Sequence, residues 1–308
     1  MLISLIVPIF NEIDNLPSFH HRAGQVLNKL TTEYEIIYIN DGSKDASLFW
    51  ILSMAEKDKH LKYIDLSRNF GHQVAVMSGI DHAKGDYICI IDADLQDPPE
   101  LIEDLYHKAI SGFDVVYAKR RTRVGDSSFK IYTAKWFYRI LAKLSNVDIP
   151  LDSGDFRIFN KKIAAVLKKM PEYNKYLRGQ VAWIGMNQTY VEFDRQQRNA
   201  GSTGYNLRKM LRLAIDGITA FSSTPLKIVS YLGIVISLFA VILVFYVLFS
   251  IYVRKSFVPG WGSIMVTMLF LGGVQMIAIG IIGEYLSRIN QNILGRPLYV
   301  IKETNIKD

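Results

Sequence analysis

Two long stretches without a charged side chain constrain this chain more than any other feature. From Ile228 to Val253 there is no Asp, Glu, Lys or Arg, and 17 residues between Ile228 and Ile251 are Leu, Ile, Val or Phe. A second charge-free run extends from Ser256 to Gly283. At a rise of about 1.5 Å per residue the first would span roughly 39 Å as a helix, against a hydrocarbon core of about 30 Å. Its apolar residues favour insertion by on the order of 5–10 kcal/mol before polar costs. A buried core helix rarely needs so long a run, so the expectation is a two-helix transmembrane hairpin over residues 227–286. Pro259, Gly260 and Trp261 would form its connecting loop.

A hairpin leaves both chain ends on one side of the membrane. Arg208, Lys209, Arg212 and Lys227 precede it and Arg288, Arg296, Lys302 and Lys307 follow it, while the loop carries Arg254 and Lys255. This bias places both ends in the cytoplasm and predicts a multi-pass protein of the plasma (bacterial inner) membrane. Gly233 with Ser237, and Gly272, Gly273 and Gly280, form small-residue stripes. They would support close packing within the hairpin or between protomers of a homo-oligomer, and the sequence leaves that choice open. Glu284 and Arg288, four residues apart, are expected to pair along one helix. Over residues 206–226, Leu207, Met210, Leu211, Ala214, Ile218 and Phe221 recur at helical spacing, with Arg208, Lys209 and Arg212 off that stripe. This pattern predicts an amphipathic helix at the membrane interface, the alternative being a helix packed on the preceding domain.

The remaining composition bounds less. A formal charge of +7 suits nucleic acid, an anionic membrane surface or a phosphorylated substrate equally well. The one cysteine, Cys89, excludes an internal disulfide and lies in an apolar run, as a buried thiol would. Leu2–Phe10 is short, contains Pro8 and lacks a small-residue cleavage site, so it does not read as a signal peptide. Residues 1–205 are therefore expected to remain in the cytosol as one domain, with residues 287–308 as a cytosolic tail.

That domain alternates apolar strands with helical patterns. Strands are expected at Leu2–Val7, Tyr34–Ile39, Lys62–Leu66, Asp86–Ile91 and Asp114–Tyr117, with helices following Glu12, Asp45 and Gly71. The alternation predicts an α/β fold with a mostly parallel sheet, whose ligands bind beyond the carboxyl ends of the strands. Asn11, Asp41, Arg68 and Asp92 fall at or just past such ends. No glycine-rich dinucleotide fingerprint follows the first strand, and no Gly-Lys-Ser/Thr phosphate loop occurs, so neither a dinucleotide oxidoreductase nor a P-loop NTPase has its signature.

The most informative string runs from Ile91 to Glu100, I-D-A-D-L-Q-D-P-P-E. Carboxylates at i and i+2 of an extended chain share a face, so Asp92 and Asp94 can approach one hard divalent cation that bridges to a diphosphate. The alternative is a solvated acidic turn capping the next helix. Further on, Arg120, Arg121 and Arg123 form a basic cluster, and Arg157 and Arg198 follow. Guanidinium groups suit bidentate contacts to phosphate.

Taken in order, I-V-P-I-F-N-E, N-D-G-S-K-D, S-R-N-F-G, D-A-D-L-Q-D-P-P-E, G-D-F-R, L-F-L-G-G-V-Q and the tail motif R-P-L-Y resemble the family-2 glycosyltransferases. The similarity is strongest to the branch that loads sugars onto polyprenyl phosphates, with bactoprenol glucosyltransferases nearer than dolichol-phosphate mannose synthase. The resemblance covers nearly the whole chain. It implies a GT-A-like α/β domain followed by the transmembrane hairpin, and inverting transfer of a hexose, glucose from UDP-glucose foremost, to undecaprenyl or another polyprenyl phosphate. Mannose from GDP-mannose, GlcNAc or an amino sugar stays open as the alternative. It also implies that Pro8, Asn11, Glu12 and Asp41 line the nucleotide pocket, Asp41 toward the base and Glu12 toward the ribose. Asp92 would face ribose or metal, and Asp94 and Gln96 would ligate Mg²⁺ or Mn²⁺. Asp155 matches the position of a proposed base, and Arg120 and Arg198 are the candidates for the acceptor phosphate, with Arg121 solvated. The implied partners are a nucleotide sugar, a polyprenyl phosphate and membrane lipids, and no nucleic acid.

Three positions depart from the family pattern. Gly204 stands where a lysine is usual, Tyr173 where an arginine is usual, and His72, read as a surface or pocket-rim residue, where relatives often carry lysine. A processive polysaccharide synthase would carry Gln-x-x-Arg-Trp and more spans. A catalytically silent membrane scaffold would not need Asp92, Asp94, Asp155 and Arg198.

Overall fold

A computed structural model of the chain describes residues 1–31, 33–121, 153–194, 224–253 and 260–307. Eight strands form one mixed sheet: β1 (Ile3–Ile9), β2 (Tyr34–Asn40), β3 (Leu61–Leu66), β4 (Tyr87–Ile90), β5 (Val115–Arg120), β6 (Ser153–Asn160), β7 (Gln188–Phe193) and β8 (Ile301–Thr304). Their order is β7-β5-β6-β4-β1-β2-β3-β8. β1 pairs in parallel with β2 and β4, β2 with β3, and β5 with β7, whereas β6 runs antiparallel to both β4 and β5. The α/β expectation holds, with antiparallel pairing concentrated around β6.

Every residue of β1 and β2 is buried, as befits central strands covered on both faces. Alternate side chains feed two cores. Leu5, Val7 and Ile9 pack on one face with Phe19, Leu27, Tyr38 and Phe156. Ile6, Ile37, Ile64, Met77 and Phe159 pack on the other. The helix α1 (Leu16–Leu30) has Pro17 in its first turn and buries Leu16, Phe19, Ala23, Val26 and Leu27, a stripe at helical spacing. It is followed by α2 (Ser47–Ala55), α3 (His72–His82) and α4 (Leu101–Ile110). At Gly79 in α3 a Cβ would lie 2.6 Å from Ile6 Cγ2, so this helix sits closer to β1 than any side chain permits. The helix α5 (Lys161–Lys169) begins at Asn160, whose Oδ1 accepts from Lys162 N and Ile163 N, and ends with Lys168 and Lys169. A shorter helix, α6 (Leu177–Ile184), leads to β7.

Two long helices follow, α7 (Thr224–Tyr252) and α8 (Trp261–Ile293). Among the described residues one segment, Phe270–Ile293, is long and apolar enough to cross a membrane. Exposed apolar side chains extend along both helices, among them Ile234, Leu238, Ile242 and Phe245 on α7 and Met268, Met276 and Ile277 on α8. Glu284 and Arg288 pair at 3.0 Å as their spacing predicts. The expected interfacial helix lies outside the described residues except for positions 224–226, which already belong to α7.

The tail, residues 287–308, adds a strand to the sheet of the N-terminal domain. β8 pairs antiparallel with β3 and closes that edge of the sheet. Ser67 N donates to Val300 O at 2.9 Å, Tyr63 N to Asn305 Oδ1 at 2.8 Å, and Tyr299 Oη to Asp81 Oδ2 at 2.9 Å. A four-residue edge strand carries too little periodicity to be visible in sequence.

Candidate active site

The carboxyl ends of β1, β2 and β4 open on a cleft of about 310 Å³ lined by Pro8, Glu12, Asp41, His72, Asp92 and Asp94. Five of these are sequence-predicted positions that the parallel sheet brings to one edge. Asn11, just outside the lining, adopts a left-handed backbone (φ 57°) and ties the β1 turn to the β2 loop. Its N–H donates to Ser43 Oγ at 3.0 Å, and its Oδ1 accepts from Lys44 N at 2.8 Å. Glu12 Oε2 accepts from Asn15 Nδ2 at 2.7 Å.

Asp41 is buried, and its two carboxylate oxygens accept from Phe70 N at 2.7 Å and Gly71 N at 3.0 Å. Burial raises its pKa more than these hydrogen bonds lower it. The carboxylate therefore shapes the 67–71 loop as well as facing the cleft. Gly42 beside it (φ 69°) has no room for a Cβ, which would stand 2.6 Å from Asn69 N.

Beyond β4, residues 92–97 alternate: Asp92, Asp94 and Gln96 are partly exposed, while Ala93, Leu95 and Asp97 are buried. Asp92 and Asp94 both line the cleft, although the chain here turns rather than extends. Leu95 holds a left-handed conformation (φ 57°), a strain of about 1–3 kcal/mol for such a side chain, and Gln96 N donates to Asp94 Oδ1 at 3.1 Å across it. Burial of the Leu95 side chain holds the turn in place. Asp92, with 42 % of its side chain exposed, has a pKa pushed up to about 6 by desolvation, with Asp155, Asp94 and Asp97 adding repulsion and His72 opposing it.

His72 is the centre of a network the sequence did not reveal. Its Nε2 lies 3.2 Å from Asp155 Oδ2 and 3.7 Å from Asp92 Oδ1. Desolvation lowers its pKa, but the two carboxylates outweigh this and raise it to about 9, so the ring carries a proton at neutral pH. Asp155, 8 % exposed, also accepts from Gln73 Nε2 at 3.0 Å and from Arg178 Nε at 2.9 Å. Burial would raise its pKa, yet Arg178 foremost and His72 next hold it well below the usual carboxylate range. So stabilised a carboxylate is a weak proton acceptor. Arg157 is buried and donates to Gly154 O and Asp155 O, which makes it part of the β6 backbone support.

Arg120 ends β5 with Nη2 3.6 Å from Asp97 Oδ2, so it joins the acidic segment from behind. Arg121 pairs with Glu192 and Asp194 and is largely solvated, as expected. Arg123, Arg198 and Gly204 lie outside the described residues. Gln73 carried no sequence signal, and Arg178 only its place near Tyr173, since it meets Asp155 through the packing of α6. His72 had one: it directly follows the loop motif at the start of α3.

Among the described residues no cluster of three or more His, Cys, Asp or Glu side chains converges to hold a metal unaided. Asp92 and Asp94 do offer carboxylate oxygens to the cleft, and Gln96, two residues on, is partly exposed. That set fits a cation of the magnesium type, which takes one or two carboxylates and completes its shell with water and substrate phosphates.

The family described as Glycosyl transferase family 2 matches residues 4–167. An uncharacterized glycosyltransferase of Synechocystis is 43 % identical over 98 % of this chain and 95 % of its own. A prophage bactoprenol glucosyl transferase homolog of Escherichia coli is 41 % identical over 98 % of this chain and 99 % of its own. The bactoprenol glucosyl transferase of Shigella phage SfV is 39 % identical over 100 % of both. Among solved structures, glucosyl-3-phosphoglycerate synthase from Mycobacterium tuberculosis, in complex with Mn²⁺, UDP and phosphoglyceric acid, shares the fold with a TM-score of 0.50 at 16 % identity. That likeness covers 71 % of this chain and 76 % of the other.

Proposed function

The chain belongs to glycosyl transferase family 2, and from that premise we propose that it transfers glucose from UDP-glucose to a polyprenyl phosphate at the cytosolic face of the membrane, with inversion at the anomeric carbon. The observation that carries the reading is the likeness to bactoprenol glucosyl transferases across full length, apolar helices included. A two-span hairpin formed by α7 and α8 would hold the cleft beside the bilayer. The exposed apolar side chains along both helices support that topology.

The reaction needs an in-line displacement. A phosphate oxygen of the lipid forms a bond to the anomeric carbon as the bond to the UDP oxygen breaks, and negative charge passes to the departing diphosphate. Asp94 and Gln96, with Asp92, would hold Mg²⁺ or Mn²⁺, which when bound neutralises charge on that diphosphate. Pro8, Asn11, Glu12 and Asp41 would seat the nucleoside, Asp41 by aligning the Phe70–Gly71 backbone at the base pocket. His72, whose Nε2 lies 3.2 Å from Asp155 Oδ2, would present its imidazole at the cleft wall. A lipid phosphate is already ionised near neutral pH, so no proton need be removed from it. Asp155 would then orient His72 and Arg178, and Arg120 and Arg198 would position the acceptor phosphate.

Membranes containing the chain, labelled UDP-glucose and polyprenyl phosphate provide the test. Label that becomes organic-extractable and mild-acid-labile, and that disappears with EDTA, is the expected result. Long polymer, or no lipid-linked label with any of a panel of UDP- and GDP-sugars, overturns it.

A further inference from the structure

The carboxyl ends of β2 and β3 hold a buried polar pair that the reaction scheme leaves unused. Asn40 and Asp65 are register partners on these strands, and both are buried. Asn40 Nδ2 donates to Asp65 Oδ1 at 2.7 Å, and Asn40 Oδ1 accepts from Ser43 N at 3.2 Å. A carboxylate accepts and a backbone N–H donates, so the two partners fix which end of the amide faces each. Ser43 Oγ in turn accepts from Asn11 N at 3.0 Å. The contacts thus run from a buried carboxylate to the turns that carry Asn11 and Asp41.

The other side of Asp65 faces the tail. Asp65 opposes Glu303 while Leu66 opposes Ile301, so Lys302 is the extra residue of a β-bulge in β8. Regular alternation would turn Lys302 and Glu303 to opposite faces. Here Lys302 Nζ lies 3.5 Å from Asp65 Oδ2, and Glu303 Oε1 accepts from Tyr63 Oη at 2.9 Å, so both reach the same face of β3. Just beyond, Ser67 N donates to Val300 O at 2.9 Å, where the 67–71 loop begins; Phe70 N and Gly71 N of that loop donate to Asp41. The chain that leaves α8 therefore braces both loops beside the cleft.

Neither Asn40 nor Asp65 lines the cleft, so any effect on a ligand passes through Ser43, Asn11 and Asp41. We propose that Asp65, together with Asn40, is a positioning residue for the nucleotide donor. It fixes the loop that carries Asp41, so that the pocket is formed before the nucleoside enters, an inference that rests on the nucleotide-sugar reading above.

The test measures UDP binding and two-substrate kinetics on the full chain in nanodiscs, for wild type, Asp65→Ala, Asp65→Asn and Asn40→Ala. Asp65→Ala removes the acceptor of Asn40 Nδ2 and lets the amide turn, which should raise the Kd for UDP and the KM for UDP-glucose about 10-fold. Asn40→Ala should do the same. Asp65→Asn keeps an oxygen for Asn40 Nδ2 and should stay within about threefold of wild type. The KM for polyprenyl phosphate and the kcat at saturating donor should stay within about twofold in every variant. A purely structural role gives a different pattern, because fewer folded molecules lower kcat and leave the donor KM unchanged. That pattern, or Asp65→Asn as impaired as Asp65→Ala, overturns the assignment and leaves the proposed function standing. If the wild type binds UDP but transfers no glucose to polyprenyl phosphate, the function falls and UDP binding decides the inference by the same criteria. GDP replaces UDP throughout if the wild type prefers it, and a wild type that binds neither overturns the nucleotide-sugar reading and the inference with it. Unfolding temperature and membrane yield confirm that each variant folds. Asp65→Ser, whose shorter side chain falls short of Asn40 Nδ2, replaces either alanine variant that does not.

Discussion

Around Asp155 three donors meet one buried carboxylate: Arg178 Nε and Gln73 Nε2 within 3.0 Å, and His72 Nε2 at 3.2 Å. Asp155→Asn removes the buried carboxylate that Arg178 and His72 share, leaving Asp92 beside His72, and should cost about 3–5 kcal/mol of stability at neutral pH. The pH dependence follows from the direction of the shift. Because the folded pKa is depressed, the carboxylate stabilises the fold above its unfolded value of about 3.9, and that contribution is lost as pH falls through the folded pKa. Thermal unfolding in detergent should therefore show wild type and Asp155→Asn furthest apart near pH 7 and converging below about pH 4. At Asp94 the expectation concerns chemistry rather than folding. Asp94→Ala should abolish metal-dependent transfer, by about 100-fold or more, while membrane insertion is retained. Full transfer by that variant in EDTA-treated membranes would remove Asp94 from the metal site. Spacing pointed to Asp92 and Asp94 as neighbours, and both line the cleft, whereas Gln96 entered only through the family motif. The partners of Asp155 were illegible because they come from α3 and α6, about 80 residues before it and 23 after it.

Among the elements, α3 and the tail strand depend most on close fit. Gly79→Val would drive a side chain into Ile6 and Ile39 and should destabilise the domain by about 1–3 kcal/mol, read as a lowered unfolding temperature with an unchanged cleft-binding stoichiometry for UDP. Removing residues 299–308 exposes the β3 edge, strips Asp65 of Lys302 and frees Asp81 from Tyr299. The truncated chain should lose stability and aggregate through that edge, and size-exclusion chromatography would show it. The strands β1 to β5 were readable because each is an apolar run delimited by loop residues. β8 was not, because its pairing with β3 depends on a contact across more than 230 residues.

Across the whole molecule, the proposed membrane-spanning helices would set where the catalytic domain works. Ile277 is exposed near the middle of α8, and Ile277→Lys should add about 2.5–3.5 kcal/mol to the cost of insertion. A larger share of the variant should be extracted at alkaline pH, and equal retention would argue that α8 does not span. By itself the sequence determined the α/β class, the charge-free stretches, the Asp92–Asp94 spacing and the family motifs. All of these are periodic or local, so nearest neighbours along the chain suffice to produce them. Only the tertiary structure decided that His72 bridges Asp92 and Asp155, that Arg178 keeps Asp155 ionised, and that the tail closes the β3 edge of the sheet. Those arrangements depend on groups far apart in sequence, whose charges interact only once folding has removed the water between them.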